Sequence, residues 1–227
     1  MRITVSLIAL LVSFLPANGA EIPLANLSRL DLRNLDLRNV NADATTYRGQ
    51  SAVHLTEKNP AEPQSLAILR DRTFHNGTVE LDVAGAPSKA AGDTARGFIG
   101  VAFRMQSDAS RYECIYIRPT NGRAEDQLRR NHSIQYESEP DWPWDRLRKE
   151  SPGVYESYAD MVPGEWTHLR IVVHGRDAAL YIGKSEQPGL LVHDLKLGDS
   201  RGAIALWIGP GTEGYFKGLE ISDEAEK

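Results

Sequence analysis

The sequence predicts an all-β fold, an antiparallel sandwich of two sheets. Short segments alternate apolar and polar residues, and Gly, Pro and Asn-Gly turn signals separate them. No long segment shows the period of an amphipathic helix. Alternation of period two is typical of strands that bury one face against a second sheet. The 227 residues are enough for one such domain and its core.

The N-terminal residues have the pattern of a cleaved export signal. Arg2 supplies a positive charge, residues 3–15 form an apolar run, and residues 17–20 provide small side chains for cleavage. The apolar run is too short for a comfortable membrane span, and no later segment approaches one. We therefore predict a signal peptide over residues 1–20, a single domain over residues 21–227, and a secreted or periplasmic location.

Composition argues against several classes of function. The net charge of −5 does not favour general nucleic-acid binding. The single cysteine, Cys114, cannot form an internal disulfide, and its place in an alternating segment predicts a small buried side chain. The histidines lack metal-ligand spacing, and no loop is acidic enough to predict a calcium site. No cofactor or metal is predicted, and the oligomeric state stays open.

The first predicted element is an edge strand or an entry segment within residues 27–40, where Leu-Asp-Leu-Arg-Asn occurs twice. Two copies are too few for a stacked solenoid. Nine further strands follow along the chain, and turn residues separate them. They cover residues 52–55, 66–69, 78–83, 98–105, 112–117, 166–174, 178–182, 203–208 and 215–221.

Alternation also predicts which side chains face away from the core. In residues 98–105, Met105 belongs to the core set and Arg104 to the opposite face. The same argument places Tyr116 and Arg118 opposite the core in the next strand, and Trp207 in residues 203–208. If these strands are neighbours, one sheet surface displays the four side chains around small Gly and Ala residues. We expect a hollow there, lined by aromatic and guanidinium groups.

Residues 118–156 contain no predicted strand, and we treat residues 118–160 as an insertion. Loops of this length are uncommon in compact domains unless they bind or cover something. Because the segment begins at Arg118 on the hollow face, we predict that it folds across that face as a lid or wall. Trp142 and Trp144 either bind a ligand there or anchor the loop to the sandwich.

The polar residues of this segment suit the recognition of hydroxyls, carboxylates or sulfates. The candidate substrate-binding residues are Arg104, Tyr116, Arg118, Arg123, Arg130, Trp142, Trp144 and Trp207. For an enzyme, Asp126 and His132 are the candidate acid–base residues, since a histidine with an acidic partner can transfer protons. The arginines also fit surface charges, and His132 also fits a structural histidine.

Three motifs resemble a known superfamily. Residues 97–104 read Gly-Phe-Ile-Gly-Val-Ala-Phe-Arg, residues 112–119 read Tyr-Glu-Cys-Ile-Tyr-Ile-Arg-Pro, and residues 164–173 read Gly-Glu-Trp-Thr-His-Leu-Arg-Ile-Val-Val. With residues 202–208 and 215–221, they resemble the concanavalin A-like lectin/glucanase superfamily. Within it they most resemble the laminin-G-like and 3-keto-disaccharide hydrolase type domains of secreted bacterial proteins. The resemblance covers residues 50–223 and implies a jelly roll of two curved sheets, with ligands often held on the concave face.

Fold resemblance leaves three functions open, because the superfamily includes lectins, glycosidases and adhesion modules. The first hypothesis is a carbohydrate-recognition protein that binds a saccharide on the concave face under residues 118–156. The second is a glycoside hydrolase or lyase that acts on a saccharide, including an oxidised one, in the same cleft. The third is an adhesion or structural module.

One glycosidase class of the superfamily is not predicted. Its members have Glu-x-Asp-x-x-Glu on a concave strand, and the nearest match here, Glu80-Leu81-Asp82, lacks the second glutamate. Retaining hydrolysis needs two carboxyl groups about 5 Å apart. We predict instead that Glu80 and Asp82 lie on a solvated outer face.

Overall fold

Two antiparallel sheets packed face to face make up the part of the chain that the computed structural model describes, residues 25–27 and 31–225. The predicted all-β sandwich is therefore confirmed. The predicted export signal, residues 1–20, lies outside the described residues. Within the described residues, no helix is long and apolar enough to span a bilayer.

Fifteen strands belong to the described part of the chain. They are β1 (Ala25–Leu27), β2 (Leu35–Arg38), β3 (Val40–Tyr47), β4 (Gln50–Glu57), β5 (Leu66–Phe74), β6 (Gly77–Pro87), β7 (Ile99–Met105), β8 (Tyr112–Ile117), β9 (Ile134–Glu139), β10 (Glu156–Ser157), β11 (Thr167–His174), β12 (Asp177–Ile182), β13 (Leu190–Val192), β14 (Gly202–Ile208) and β15 (Thr212–Asp223). Two short helices, α1 (Gln127–Arg130) and α2 (Trp144–Glu150), and 3-10 turns at Leu32–Asn34 and Pro119–Asn121 complete the described secondary structure.

The strands divide between two sheets with non-sequential neighbours. The first sheet has the order β13-β12-β11-β6-β15-β4-β3, and β1 pairs with β15. The second has the order β10-β9-β8-β7-β14-β5-β2. The neighbours β7 and β14 are far apart in sequence, as are β6 and β15. The sheets therefore cannot form without long-range pairing, and distant segments meet on each sheet surface.

Alternating apolar side chains from both sheets form the core between them. Leu81 and Leu169 from the first sheet and Ile115 and Leu206 from the second have no measurable exposure. Burial of each such side chain contributes about 1.5–3 kcal/mol, which makes this layer the main source of stability. Glu80 and Asp82 alternate with the core residues of β6 and lie on the outer face of the first sheet, as predicted.

All ten strands predicted from the sequence are present, including β2 at the edge of the second sheet. Cys114 is a buried free thiol, as predicted. Besides β1, four strands were not predicted from the sequence: β3, β9, β10 and β13. The most consequential is β9, because it lies in the supposed loop of residues 118–156 and extends the second sheet beyond β8.

The prediction that residues 118–156 form one long loop is therefore wrong. In β9, Ile134 and Tyr136 face the core, but Gln135, Glu137 and Glu139 alternate with them on the other face. These polar side chains give the segment the composition of a solvated loop. They are in fact largely covered, since Gln135 and Glu137 are buried.

Arg104 does not lie on the predicted outer face. It adopts a left-handed φ of 51° where the pairing of β7 with β14 shifts register, which identifies a β-bulge. Its buried guanidinium donates hydrogen bonds to the backbone carbonyls of His75 and Gly198. The bulge also reverses the face of Met105, which joins Tyr116 in a cluster outside the main core instead of packing within it. Alternation failed here because a bulge adds one residue to the count.

Candidate binding cleft

Three residues on neighbouring strands lie side by side across the outer surface of the second sheet. Trp207 on β14 pairs with Gly100 on β7, and Gly100 pairs with Tyr116 on β8. The rings of Trp207 and Tyr116 lie 4.6 Å apart between centroids. A Cβ at Gly100 would lie 2.6 Å from the Cβ of Tyr116, closer than any real contact. Glycine at this position therefore leaves the space in which the two rings meet.

A cleft of about 920 Å³ lies over this row. Its floor is Tyr116, Glu137 and Trp207. Other residues from the 118–156 segment line the cleft: Arg118, Asn121, Arg129, His132, Glu139, Pro143, Trp144 and Arg148. Further lining residues lie before β5, between β6 and β7, and around the β14–β15 turn: Thr56, Glu57, Pro60, Pro63, Ser88, Ala90, Ala91, Gly92, Thr94, Ala95, Arg96, Phe98, Pro210, Gly211 and Thr212.

A hydrogen-bonded chain connects the floor to the adjoining arginine. Arg118 Nη2 donates to the Tyr116 hydroxyl at 3.0 Å, and that hydroxyl lies 3.3 Å from Glu137 Oε2, to which it donates. The hydrogen bond from the Tyr116 hydroxyl fixes the Glu137 side chain on the floor of the cleft, which Trp144 of α2 also lines.

Arg118 also belongs to a buried ion cluster around Glu156. Arg118 Nη1 lies 3.3 Å and Arg148 Nε 2.9 Å from oxygens of the Glu156 carboxylate, and His132 Nδ1 lies 3.0 Å from Oε2. Burial alone would raise the pKa of Glu156, but the hydrogen bonds and positive charge of Arg148 outweigh it, helped by the charges of His132 and Arg118, and the pKa is lowered. Glu156 is therefore ionised near neutral pH and holds the two arginines in place.

His132 is neutral near pH 7. Burial lowers the pKa of its imidazole, and the positive charges of Arg148 and Arg118 lower it further against the opposing effect of Glu156. A neutral imidazole can accept a proton or donate one hydrogen bond. The carboxylate beside it is that of Glu156 and not that of Asp126, its predicted partner.

Glu137 and Glu139 are the acidic groups of β9 that line the cleft. Burial, and then the neighbouring charge of Glu139, raises the pKa of Glu137 to about 8. Burial also raises the pKa of Glu139, with a further contribution from the carboxylate of Asp145. Glu137 is therefore a protonated carboxylic acid near pH 7, able to donate a hydrogen bond into the cleft.

Trp144 is the exposed aromatic ring of the cleft. Its exposed fraction is 42%, whereas Trp207 and Tyr116 on the floor are 8% and 2% exposed. The guanidinium carbons of Arg118 and Arg148 lie 5.6 and 4.6 Å from the Trp144 ring centroid, within cation–π range. The ring is positioned by these charges at the first residue of α2 and still presents a large apolar surface to solvent.

The predicted site residues divide into two groups. Five of them line the cleft: Tyr116, Arg118, His132, Trp144 and Trp207. The other five have local structural contacts: Arg104, Arg123, Asp126, Arg130 and Trp142. The cleft thus assembles half of the predicted set.

The residues outside the cleft have identifiable partners. Asp126 caps α1 by accepting the N–H groups of Leu128 and Arg129, at 2.8 and 3.1 Å. Arg123 forms an exposed ion pair with Asp160, and Arg130 donates to the Tyr158 hydroxyl. Trp142 packs against the sandwich core and serves as the anchor that was one of its two predicted roles.

Several lining residues were not predicted. The notable ones are Glu57, Arg96, Phe98, Glu137, Glu139 and Arg148. A strand assignment for β9 would have placed Glu137 and Glu139 on one face by alternation. Arg96 lies beside the residues that follow β8, because the antiparallel pairing of β7 with β8 sets Ile99 opposite Ile117.

Among the described residues, no group of three or more His, Cys, Asp or Glu side chains is placed to hold a metal ion. The cleft therefore offers ring surfaces, guanidinium groups and one protonated carboxyl as its recognition chemistry. Such a set can bind neutral hydroxyls, apolar faces and anions.

Solved structures share the fold at low sequence identity. The carbohydrate-binding module CBM66 from Bacillus subtilis superposes with a TM-score of 0.57 at 13% identity, over 83% of this chain and 96% of that one. A galectin-like protein of unknown function from Bacillus subtilis gives 0.55 at 9% identity, over 91% and 97%. The lumenal domain of VIP36, bound to Ca²⁺ and Man3GlcNAc, gives 0.50 at 10%, over 87% and 86%.

No protein-family model matches the chain, and no curated protein matches its sequence. The structural neighbours have galectin-like and concanavalin A-like lectin folds. The predicted resemblance is therefore confirmed for the fold.

Proposed function

We propose that this protein is a secreted or periplasmic carbohydrate-recognition protein, and that it binds a saccharide in the cleft over the second sheet. The observation that carries the proposal is the exposed ring of Trp144 at a cleft of about 920 Å³ floored by Trp207 and Tyr116. Saccharide rings have apolar C–H faces that pack on aromatic rings, and hydroxyls that pair with planar polar groups. The cleft volume lies in the range of small-molecule sites.

Similar folds in proteins that bind saccharides support the proposal. CBM66 is described as a carbohydrate-binding module, and the VIP36 domain holds the saccharide Man3GlcNAc. Fold likeness alone does not fix function, so the argument depends on the side chains of the cleft. Arg118 and Arg148 are already positioned by Glu156, which lowers the entropic cost of ordering them around a ligand.

Trp144→Ala is expected to weaken saccharide binding at least tenfold, because an exposed ring that packs on a ligand is typical of a binding hot spot. The matched control is Tyr158→Ala, which removes a ring of similar exposure, 40%, outside the cleft. An oligosaccharide array followed by calorimetry with the best ligand provides the measurement. Equal affinities for wild type and Trp144→Ala would exclude this cleft as the saccharide site.

A hydrolase that uses the same cleft is the second candidate, and the pKa of Glu137 favours it. Glu137 and Glu139 lie two residues apart on one face of β9, so their Cα atoms are about 7 Å apart. Glycosidases use a pair of carboxyl groups in which one is protonated at working pH. Glu137 is the acid of such a pair and Glu139 its carboxylate partner.

The hydrolase reading predicts that Glu137→Gln abolishes product formation and retains at least a third of the wild-type affinity for substrate. Loss of a general acid typically reduces turnover by about 10²–10⁴-fold. Chromatography of bound oligosaccharides after prolonged incubation provides the measurement, with Glu150→Gln on the exposed face of α2 as control. Intact oligosaccharide after incubation with wild type would leave recognition as the function.

A further inference from the structure

We propose that the cleft is selective for a saccharide with an anionic substituent, a carboxylate or a sulfate, and that Arg96 and Arg129 hold this group. The inference rests on the proposed function, because it names the class of saccharide for the same cleft. It concerns the region where the loop between β6 and β7 meets the turn at Pro119–Asn121.

The cations of the cleft differ in whether an anion neutralises them. Arg118 and Arg148 share the carboxylate of Glu156. Within residues 31–225, Arg96 and Arg129 have no carboxylate within ion-pair distance. Arg96 Nη1 donates to the backbone carbonyls of Asp93 and Ala95, and Arg129 Nη2 lies 3.4 Å from Asn121 Oδ1. Both guanidinium groups therefore keep donors free for an anion.

The cations also lie close enough to repel one another. Burial lowers the pKa of Arg96, and the positive charges of Arg129 and Arg118 lower it further against the smaller opposing effect of the Asp93 charge. An anion bound between Arg96 and Arg129 would relieve this repulsion and accept charge-assisted hydrogen bonds, which are about twice as strong as neutral ones. The chain as a whole has a net charge of −5, so the cationic region is local and does not reflect general basicity.

The acidic residues that line the cleft do not neutralise these arginines. Burial keeps Glu137 protonated up to about pH 8. Glu57 accepts the backbone N–H of Gly211, and the pKa of Glu139 is raised by burial and by Asp145. Neither Glu57 nor Glu139 lies within ion-pair distance of an arginine in the described part of the chain.

A backbone contact at Arg96 and a side-chain contact at Arg129 orient the two arginines before a ligand binds. The backbone N–H and the hydroxyl of Thr120 both bond to the carbonyl of Arg96, each at 3.3 Å, which ties its loop to the turn before α1. Asn121 Nδ2 donates to the carbonyl of His132, which directs Oδ1 towards Arg129. Positioned guanidinium groups recognise planar anions with less loss of side-chain entropy.

Calorimetry with matched acid and neutral ligands tests the inference. Trigalacturonate and its trimethyl ester differ in three methyl groups, which remove the negative charge of the carboxyl groups. Chondroitin tetrasaccharides with and without sulfate distinguish a sulfate preference from a carboxylate preference. We expect one acidic or sulfated probe to bind wild type at least tenfold more tightly than its matched partner. The affinity ratio should fall below threefold in the Arg96→Gln/Arg129→Gln double variant.

Arg129→Gln alone should reduce the affinity ratio of charged to neutral probe at least threefold. Because Arg129 lies on an exposed helix, this single variant provides the test if the double variant does not fold. Arg123→Gln removes an exposed charge outside the cleft and should leave the ratio unchanged. Equal, Trp144-dependent binding of charged and neutral partners would overturn the inference and leave the proposed function standing. If no probe shows Trp144-dependent binding, the inference fails, and the oligosaccharide array decides the proposed function separately. A preference that survives in Arg129→Gln and the double variant would exclude these arginines as the anion site.

Discussion

Glu156→Gln is expected to lower the free energy of unfolding by about 3 kcal/mol, the cost typical of removing one partner from a buried ion pair. Glu156 is the only carboxylate within ion-pair distance of Arg118 among the described residues, and the two side chains are 3% and 5% exposed. Glutamine keeps the shape and one acceptor but leaves the Arg118 charge without compensation. The change also releases Arg148, so saccharide binding should weaken together with stability.

Urea unfolding at pH 7 provides the measurement, with Glu150→Gln as the matched control. Glu150 pairs with Arg146 four residues earlier on α2, but both side chains are more than 40% exposed. Exposed helical pairs contribute about 0.3–0.5 kcal/mol, so the control should remain close to wild type. Equal stability of the two variants would show that Glu156 is not the structural centre of the cluster.

Most of the fold follows from alternation in the sequence. Each predicted strand has apolar residues at every second position, and a strand with one face buried requires this pattern. Ile204, Leu206 and Trp207 lie on the faces that the pattern predicts. The pairing order could not be derived from alternation, because β7 and β14 become neighbours through contacts distant in sequence.

The two main errors have separate physical causes. At Arg104, a bulge adds a residue to the strand, and its left-handed φ is not specified by the residue type. At β9, the face opposite the core is polar but covered, because Gln135 bonds to the backbone of Tyr136 and Tyr155 and Glu137 lines the cleft. A strand with a polar covered face therefore has the composition of a loop, and periodicity of apolar residues does not reveal it.

The part of the candidate site that lies on regular strands could be predicted from the sequence. Tyr116 and Trp207 were placed together because they belong to regular strands whose faces alternate, and Arg118 directly follows β8. Asp126 and Arg123 belong to irregular segments, where residue type indicates chemical capacity but not the partner. A capping interaction within three residues and an exposed ion pair account for them instead.

Burial of Glu137 connects the cleft with the pH dependence of folding. The carboxyl is covered on the sheet face by β8 and by α2, and it releases its proton only near pH 8. In an unfolded chain, a glutamate releases its proton near about pH 4.3. Between these values, the folded protein holds a proton that the unfolded chain has lost.

Wild type is therefore expected to lose stability as the pH rises through this interval, and Glu137→Gln is expected to lose less. One proton held only by the folded state lowers the free energy of unfolding by about 1.4 kcal/mol for each pH unit. The contribution of protonated Glu137 is fully present below about pH 4.3 and is lost as the pH rises through the folded-state pKa near 8. His132, whose pKa is lowered by burial, acts in the opposite direction, so only the difference between the two proteins isolates Glu137.

Urea unfolding of both proteins at pH 5, 6, 7 and 8 tests this expectation, with the buffers matched in ionic strength. From pH 5 to pH 8, wild type should lose about 3–4 kcal/mol of unfolding free energy relative to Glu137→Gln. The upper limit is set by one proton per molecule over three pH units, at about 1.4 kcal/mol for each unit. Glu150→Gln, a substitution of an exposed glutamate, should run parallel to wild type. Parallel curves for Glu137→Gln and wild type would mean that Glu137 is ionised in the folded protein. The cleft would then present a carboxylate, the hydrolase reading would lose its acid, and Arg118 would have a second anion to neutralise it.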